Sequence, residues 1–292
     1  MSEPQRDCWS EWLLKRRFGG NADQMKALRD YLYPIRDKVL RHANLDEGET
    51  LLDVGCGDGL IGFGALKQSK TSRVIFSDFS QDVLDAAQAI AREIDVLDRC
   101  RFFCAAAEAL SGMSGESVDV VTTRSVLIYV APKQQAFGAF HRVLKPGGRL
   151  SIFEPINSFG YPEAPHIFAG YDVSPVAEIA QKLKDDALRI QPLGQDPMLD
   201  FDERTLMEFA ERAGFKEIHL EFQAELAPNR HAADWNTWLN IAPNPKLPTL
   251  QETLRHVLTP TERETFVAYL RPLFEARRGV GKSAVAYLWA VK

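Results

Sequence analysis

The chain has 292 residues, of which 45% are hydrophobic and 26% are charged, and its formal net charge is −5. This balance is typical of a folded globular protein rather than a disordered or fibrous one. The acidic net charge argues against a general affinity for nucleic acid, because phosphate binding requires clustered basic residues. The longest apolar runs are far shorter than the roughly 20 residues that cross a bilayer, and the start lacks a signal-peptide pattern. We therefore predict a cytoplasmic protein with no membrane partner.

The cysteines and the short basic runs predict no special chemistry. Four cysteines have neither paired spacing nor a neighbouring histidine: Cys8, Cys56, Cys100 and Cys104. They predict buried, reduced thiols rather than a disulfide framework or a metal site. The basic runs Lys15-Arg16-Arg17 and Arg277-Arg278 are interpreted as solvated surface.

Short β-rich runs alternate with helical stretches between about residues 51 and 157, which is the pattern of βαβ units in a parallel sheet. The predicted strands are Leu51–Val54, Arg73–Ser77, Arg101–Cys104, Val118–Thr122 and Arg149–Phe153. Amphipathic helices are predicted over Asp82–Glu93, after Ser80 as N-cap, and over Lys133–Leu144. The sequence Lys145-Pro146-Gly147-Gly148 predicts a turn before the fifth strand.

The pattern changes on both sides of this region. Residues 157–197 and 228–281 predict helical insertions that build a lid or substrate pocket, and residues 1–45 predict a helical leader packed over the cofactor site. Three further elements complete a main domain over 46–292: a capped helix at Asp202–Ala213 that ends at Gly214, a strand at Lys216–Leu226 and a strand at Ser283–Val291.

The most informative stretch is LLDVGCGDGLIG, residues 51–62, where a buried strand meets a glycine loop and then a helix. Gly57, Gly59 and Gly62 satisfy GxGxxG, a spacing that also suits nicotinamide and flavin enzymes. Asp53 favours a different ligand, because a carboxylate there would repel a pyrophosphate but tolerate the amino group and sulfonium of S-adenosylmethionine.

A second acidic position follows the second predicted strand in FSDFS, residues 76–80. The carboxylate of Asp78 can accept hydrogen bonds from both hydroxyls of a ribose, and the ring of Phe79 can pack on adenine. The two residues therefore predict a nucleoside site beside the glycine loop.

These segments resemble the class I S-adenosylmethionine-dependent methyltransferases, including the menaquinone, ubiquinone and natural-product methyltransferases. The matching motifs occur in the family's order: LLDVGCGDG (51–59), FSDFS (76–80), AAAEAL (105–110), SVDVVTTRSVLIYV (117–130) and HRVLKPGGRLSIFEP (141–155). The resemblance covers about residues 48–226. It implies an α/β, Rossmann-like fold with a seven-stranded, mostly parallel sheet and helices on both faces.

The resemblance also implies where S-adenosylmethionine binds. Gly55, Cys56 and Gly57 would lie at the methionine part, Ala107 and Glu108 near adenine, and Arg124 at the mouth after the fourth strand. The family often has Asp where this chain has Ala106, so the contact to the adenine amino group must come from elsewhere or be missing.

The methyl acceptor is harder to predict, because methyl transfer requires positioning more than a fixed catalytic motif. His166 and His231 are candidate bases or ordinary surface histidines, and His141 is interpreted as structural. Four aromatic residues can line an acceptor pocket or belong to the core: Tyr33, Tyr129, Trp235 and Trp238. Glu154 can contact the acceptor or hold Arg124. Residues 279–283 imitate a phosphate loop but lack its first glycine.

The sequence thus predicts a methyltransferase that acts on a small organic acceptor, without a metal and without a nucleic-acid partner. Two alternatives stay open at this point. One is a nicotinamide-dependent oxidoreductase that uses the same glycine loop, and the other is a catalytically silent protein that binds S-adenosylmethionine.

Overall fold

Nine strands are found in the computed structural model, which describes residues 7–229 and 234–292. Their bounds are β1 Thr50–Val54, β2 Arg73–Asp78, β3 Cys100–Cys104, β4 Val118–Arg124, β5 Leu144–Pro155, β6 Ile167–Phe168, β7 Tyr171–Asp172, β8 Lys216–Pro228 and β9 Val280–Val291. Seven of them form one sheet in the order β3-β2-β1-β4-β5-β9-β8, and β6 pairs with β7 apart from it.

The first five strands of the sheet are parallel, and β9 runs antiparallel to both β5 and β8. The strand order reverses between β1 and β4, which leaves a crevice at their carboxyl ends where ligands of such sheets bind. The predicted seven-stranded, mostly parallel sheet is confirmed.

Helices cover both faces of the sheet, as predicted. The α-helices in the described residues are α1 Cys8–Leu14, α2 Ala22–Ala43, α3 Leu60–Gln68, α4 Gln81–Glu93, α5 Lys133–Val143, α6 Ala177–Ile190, α7 Glu203–Ala213, α8 Trp235–Asn240, α9 Leu250–Val257 and α10 Pro260–Glu275. Helices α5 and α7 pack on one face with Leu52 and Val121, whereas α2, α3 and α4 pack on the other with Leu51 and Val120. Successive strand residues point to opposite faces, so each strand feeds both cores.

The predicted helix ends follow from their capping residues. Ser80 Oγ accepts a hydrogen bond from Val83 N at 3.2 Å, and the Asp202 carboxylate accepts one from Thr205 N at 2.8 Å. Gly214 ends α7 in the left-handed region with φ of 95°. The predicted turn at residues 145–148 is different, because it lies within β5 as an irregularity between the pairs Val118↔Leu144 and Val120↔Arg149. The neighbouring strand end at Lys292 bonds Gly147 and Gly148 and thereby keeps this bulge in the sheet.

Helices α6, α8, α9 and α10, here called the helical cover, have a hydrophobic core of their own. Phe266, Leu270 and Leu183 are almost fully buried in it, and Trp235 and Phe274 pack edge to face. Thr249 and Thr259 begin α9 and α10 with complete capping boxes. None of the helices in the described ranges is long and apolar enough to cross a membrane.

Truncation of the fully buried Phe266 tests whether this core stabilises the fold. We expect Phe266→Ala to lower the free energy of unfolding by about 3–5 kcal/mol, because the lost ring leaves a cavity. The exposed Met207 on α7 provides the control, since Met207→Ala should change stability by less than about 0.5 kcal/mol. Urea denaturation followed by circular dichroism measures both, and equal losses would contradict the assignment of Phe266 to a stabilising core.

Candidate active site

A cavity of about 680 Å³ lies at the carboxyl ends of the central strands. One wall consists of the loops after β1, β2, β3 and β4, and the opposite wall consists of the leader and residues 241–243. The second wall contributes Trp9, Trp12, Leu13, Arg17, Gln24, Leu28, Ile241, Ala242 and Pro243. The cavity volume falls within the range of roughly 300–1,000 Å³ that is typical of small-molecule sites.

The glycine loop between β1 and α3 forms the floor of this cavity. Gly55 has φ of 61° and lines the cavity, and a Cβ there would lie 2.4 Å from Val126 Cγ2. Only glycine fits such a position without displacing its neighbour. Gly57 also lines the cavity, and its N–H donates to Asp78 Oδ2 at 3.1 Å. The hydrogen bond to Asp78 thus fixes the loop, and the backbone of Gly55 and Gly57 remains accessible to a ligand in the cavity.

Asp53 lies beneath the loop and not among the cavity-lining residues, although the sequence suggested a contact with the cofactor. Its carboxylate is buried and accepts hydrogen bonds from Gly62 N at 3.0 Å and Thr122 Oγ1 at 3.2 Å. Burial raises the pKa of Asp53 to about 7. Cys56 is likewise buried, in the core beside α3. Both side chains shape the loop from behind, because they point into the face that α3 covers.

The predicted nucleoside residues do lie together on the cavity wall: Asp78, Phe79, Ala107 and Glu108. Asp78 Oδ1 accepts a hydrogen bond from Ser80 N at 3.1 Å, and burial raises the pKa of this carboxyl. The ring of Phe79 is half-exposed, and Trp9 of the leader meets it edge to face with ring centroids 5.0 Å apart.

Arg124, the last residue of β4, and Tyr129, which follows that strand, line the cavity. The fully buried Glu154 supports this segment, since its carboxylate accepts hydrogen bonds from three successive backbone N–H groups, at 2.9 Å from Val126, 3.0 Å from Leu127 and 3.4 Å from Ile128. Thr123 Oγ1 is a further donor to it at 3.3 Å. Both predicted roles of Glu154 are therefore wrong, because it faces the 126–128 turn instead of an acceptor or Arg124.

The leader contributes site residues that the sequence analysis missed. Arg17 lines the cavity, so the interpretation of residues 15–17 as solvated surface is wrong for this position. Trp12 Nε1 donates a hydrogen bond to Ala242 O at 2.9 Å and so joins the leader to the segment 241–243. This contact spans 230 residues, and no local pattern indicates it. The density of tryptophan and arginine in CWSEWLLKRR is the only local signal in the sequence.

Most other candidates lie away from the cavity. His166 is exposed, His231 lies outside the described residues, and His141 meets the ring of Phe215 edge to face. Trp235 is buried in the helical cover, and Trp238 packs there and lines a separate cavity of about 260 Å³.

The remaining positions are structural. Tyr33 is exposed beneath the guanidinium of Arg36, and residues 280–283 belong to β9. All four cysteines are unpaired, but Cys8 and Cys104 are exposed and only Cys56 is fully buried, so the prediction of buried thiols is largely wrong. No cluster of three or more potential metal ligands occurs within residues 7–229 and 234–292.

Comparison with known proteins shows which family has this site. Residues 52–150 match a family model described as a methyltransferase domain. The chain is 30% identical over 176 residues to the ubiquinone/menaquinone biosynthesis C-methyltransferase UbiE of Citrobacter koseri, an alignment that covers 59% of this chain and 68% of that protein. UbiE of Escherichia fergusonii is 29% identical over the same shares of the two chains.

Solved structures share the fold at lower identity. YcgJ of Bacillus subtilis has a TM-score of 0.56 at 17% identity and covers 88% of this chain and 97% of its own. The phosphoethanolamine N-methyltransferase 2 of Haemonchus contortus has a TM-score of 0.53 at 16% identity, over 97% of this chain and 56% of that chain. The cyclase SpnF has a TM-score of 0.51 at 23% identity, over 89% and 81%.

The strand order and the glycine loop, beside a cavity wall formed by Asp78, Phe79, Ala107 and Glu108, are those of a class I methyltransferase fold. The chain belongs to the S-adenosylmethionine-dependent methyltransferase family that includes the UbiE relatives. It is a methyltransferase, and S-adenosyl-L-methionine is its cofactor.

The buried Glu154 generates a pH-dependent prediction. Burial raises its pKa from 4.5 to about 7, so between these values the folded state retains a proton that the unfolded state releases. This contribution to stability is present in full below pH 4.5 and is lost as the pH rises through 7. Glu154→Gln does not titrate, so we expect its stability relative to the wild type to increase by up to about 3 kcal/mol from pH 5 to 8.

Urea denaturation at a series of pH values measures this difference. The exposed Glu217 provides the matched control, because Glu217→Gln makes the same substitution on the surface of the protein. A relative stability of Glu154→Gln that stays constant or decreases with pH would contradict a raised pKa at this position.

Proposed function

We propose that the protein transfers the methyl group of S-adenosylmethionine to an O, N or C atom of a small organic acceptor enclosed in the 680 Å³ cavity, by in-line displacement. The observation that carries this proposal is the second wall of that cavity. Trp9, Trp12 and residues 241–243 lie across the cavity from the glycine loop, which gives a cleft with two walls rather than the open charged face that a protein or nucleic acid would need.

The residues of the sheet edge fit the cofactor. Gly55 and Gly57 leave backbone exposed for the methionine part, and Asp78 presents a carboxylate to the ribose hydroxyls. Phe79, Ala107 and Glu108 form the adenine side. When bound, S-adenosylmethionine supplies an electrophilic methyl group on a positively charged sulfur.

The chain itself contributes position and exclusion of water. Among the described residues that line the cavity there is no histidine, and burial raises the pKa of Tyr129 to about 12, so its phenol stays protonated at neutral pH. We therefore assign no general base and attribute the rate to holding the acceptor atom near the methyl group in a dry site.

We also propose that residues 1–45 serve as a lid on the cofactor, that 157–197 and 228–281 build the acceptor side, and that the protein acts in the cytoplasm. Contacts of Trp9 with Phe79 and Tyr129 support the lid, with ring centroids 5.0 and 4.8 Å apart. Four unpaired cysteines support a reducing compartment. Neither an oxidoreductase nor a silent binding protein gains support from any contact in the cavity.

Calorimetric titration with S-adenosylmethionine, S-adenosylhomocysteine and NADH tests the cofactor site. We expect saturable binding of the first two and none of NADH. Asp78→Ala should weaken both by roughly 10- to 100-fold, because it removes a charged acceptor worth about 1.5–3 kcal/mol. Asp85→Ala, an exposed acid on the adjacent α4, is the matched control and should bind normally. Binding of NADH alone would refute the proposal.

A lid over the cofactor site should slow the release of bound S-adenosylhomocysteine. Trp9→Ala should increase the rate of S-adenosylhomocysteine release several-fold, because it removes two aromatic contacts worth about 0.5–1.5 kcal/mol each. Stopped-flow displacement measures the release rate, with the exposed Tyr33→Ala as the control. Equal release rates in Trp9→Ala and the wild type would show that the leader does not retain the cofactor.

A further inference from the structure

Two arginines from distant parts of the sequence line the same cavity. Arg17 lies in a short 3-10 turn of the leader, residues 16–18, and Arg124 ends β4. The Arg17 guanidinium lies over the rings of Trp12 and Phe18, 5.5 and 5.9 Å from their centroids. The Arg124 guanidinium donates a long hydrogen bond of 3.4 Å to Ser125 Oγ.

No carboxylate within the described ranges comes within ion-pair distance of either guanidinium. Asp58 attracts Arg17 electrostatically but does not form an ion pair within 4 Å. The neighbouring Arg16 differs, because its guanidinium donates to Glu252 at 2.6 Å on the outside of the leader. The arginines of the cavity are thus unpaired, whereas the adjacent arginine of the same turn is paired.

This arrangement is electrostatically unfavourable without a ligand. Burial lowers the pKa of Arg17 to about 10, and repulsion from Arg124 acts in the same direction. Both arginines are partly buried. A cation that is partly removed from water and has no paired anion costs free energy that an anion in the cavity would offset. Guanidinium groups pair with carboxylates through two parallel hydrogen bonds, which makes them suited to a planar anion.

The cofactor can satisfy only one of these two cations. S-adenosylmethionine has a single carboxylate, which neutralises one guanidinium, while its ammonium and sulfonium add positive charge. The acids on the wall are already occupied or lie at the nucleoside side, since Asp78 accepts from Gly57 and Ser80, and Glu108 adjoins Ala107. One positive charge in the cavity therefore remains without a paired anion.

Much of the remaining cavity lining is apolar and includes Trp12, Ile128, Val130, Met198 and Ile241. An acceptor bound beside these residues buries hydrocarbon or aromatic surface.

We propose that the acceptor is an organic acid: a small molecule with an apolar body and one carboxylate, which pairs with Arg17 beside the cofactor. This inference rests on the proposed function and specifies its substrate class. It assigns Arg17 as a residue that determines specificity in the acceptor site.

Ligand binding to the protein saturated with S-adenosylhomocysteine tests this assignment. Octanoate and 3-phenylpropionate are titrated by calorimetry beside octanamide and 3-phenylpropanamide, which have the same shape without the charge. We expect at least one acid to bind tenfold or more tightly than its amide. Arg17→Gln should abolish the preference, and Arg17→Lys should retain part of it. The matched control Arg29→Gln, at an exposed arginine of α2, should retain all of it.

The affinity for S-adenosylhomocysteine, measured in each variant, separates the possible outcomes. Equal binding of acid and amide, or binding of neither, with normal cofactor binding would overturn the organic-acid inference and leave the proposed function intact. Arg17→Gln and Arg124→Gln could both lose affinity for S-adenosylhomocysteine while the preference for acids stays unchanged. In that case both arginines serve the cofactor, and the role of Arg17 in acceptor binding is overturned. Failure of the wild type to bind S-adenosylhomocysteine would overturn the proposed function itself.

Discussion

The site depends on buried carboxylates that bind backbone N–H groups. Glu154 holds three successive amides of the 126–128 turn, and Asp53 holds the amide of Gly62 at the start of α3. Each turn leaves a strand at the point where the sheet divides, so its direction determines the shape of the cavity. A charged acceptor fixes a turn more firmly than a neutral one, because hydrogen bonds to an ionised group are about twice as strong. The burial cost appears as the raised pKa of both residues, about 7 in each case.

The sheet and most of its helices could be predicted because their signals are local. Alternating strands, the cap at Ser80 and the glycine at 214 each depend on a few neighbouring residues, and the structure shows all of them. The same motifs did not show which acids face the ligand. Asp53 follows Leu52 in β1 and therefore points to the opposite face, beneath α3, as the alternation of a strand requires. Its position next to the glycines suggested a ligand contact. The side chain instead points away from the cavity, although the residue is close to the glycines in the sequence.

The second wall could not be predicted, because it depends on contacts between distant segments. Trp12 meets Ala242, Arg16 meets Glu252, and Asn21 Nδ2 donates to Thr237 Oγ1 at 3.0 Å. These contacts join the leader to α8, α9 and the segment between them. No pattern within one of these segments indicates that it meets the other. Arg17 lines the cavity only because the leader and the segments around α8 and α9 associate across the crevice.

The leader is attached to two different parts of the fold. The leader is fixed at one end to α4, where Asp7 N donates to Asp82 Oδ2 at 2.9 Å and the Asp7 carboxylate accepts from Ser80 Oγ at 2.5 Å. Further along the leader, Trp12 bonds to Ala242 between α8 and α9, and Asn21 bonds to Thr237 of α8. The leader therefore bridges the cofactor wall and the acceptor side. Arg17 lies between Trp12 and Asn21 in the sequence, so the residues proposed as a lid on the cofactor and the arginine proposed to face the acceptor belong to one short segment.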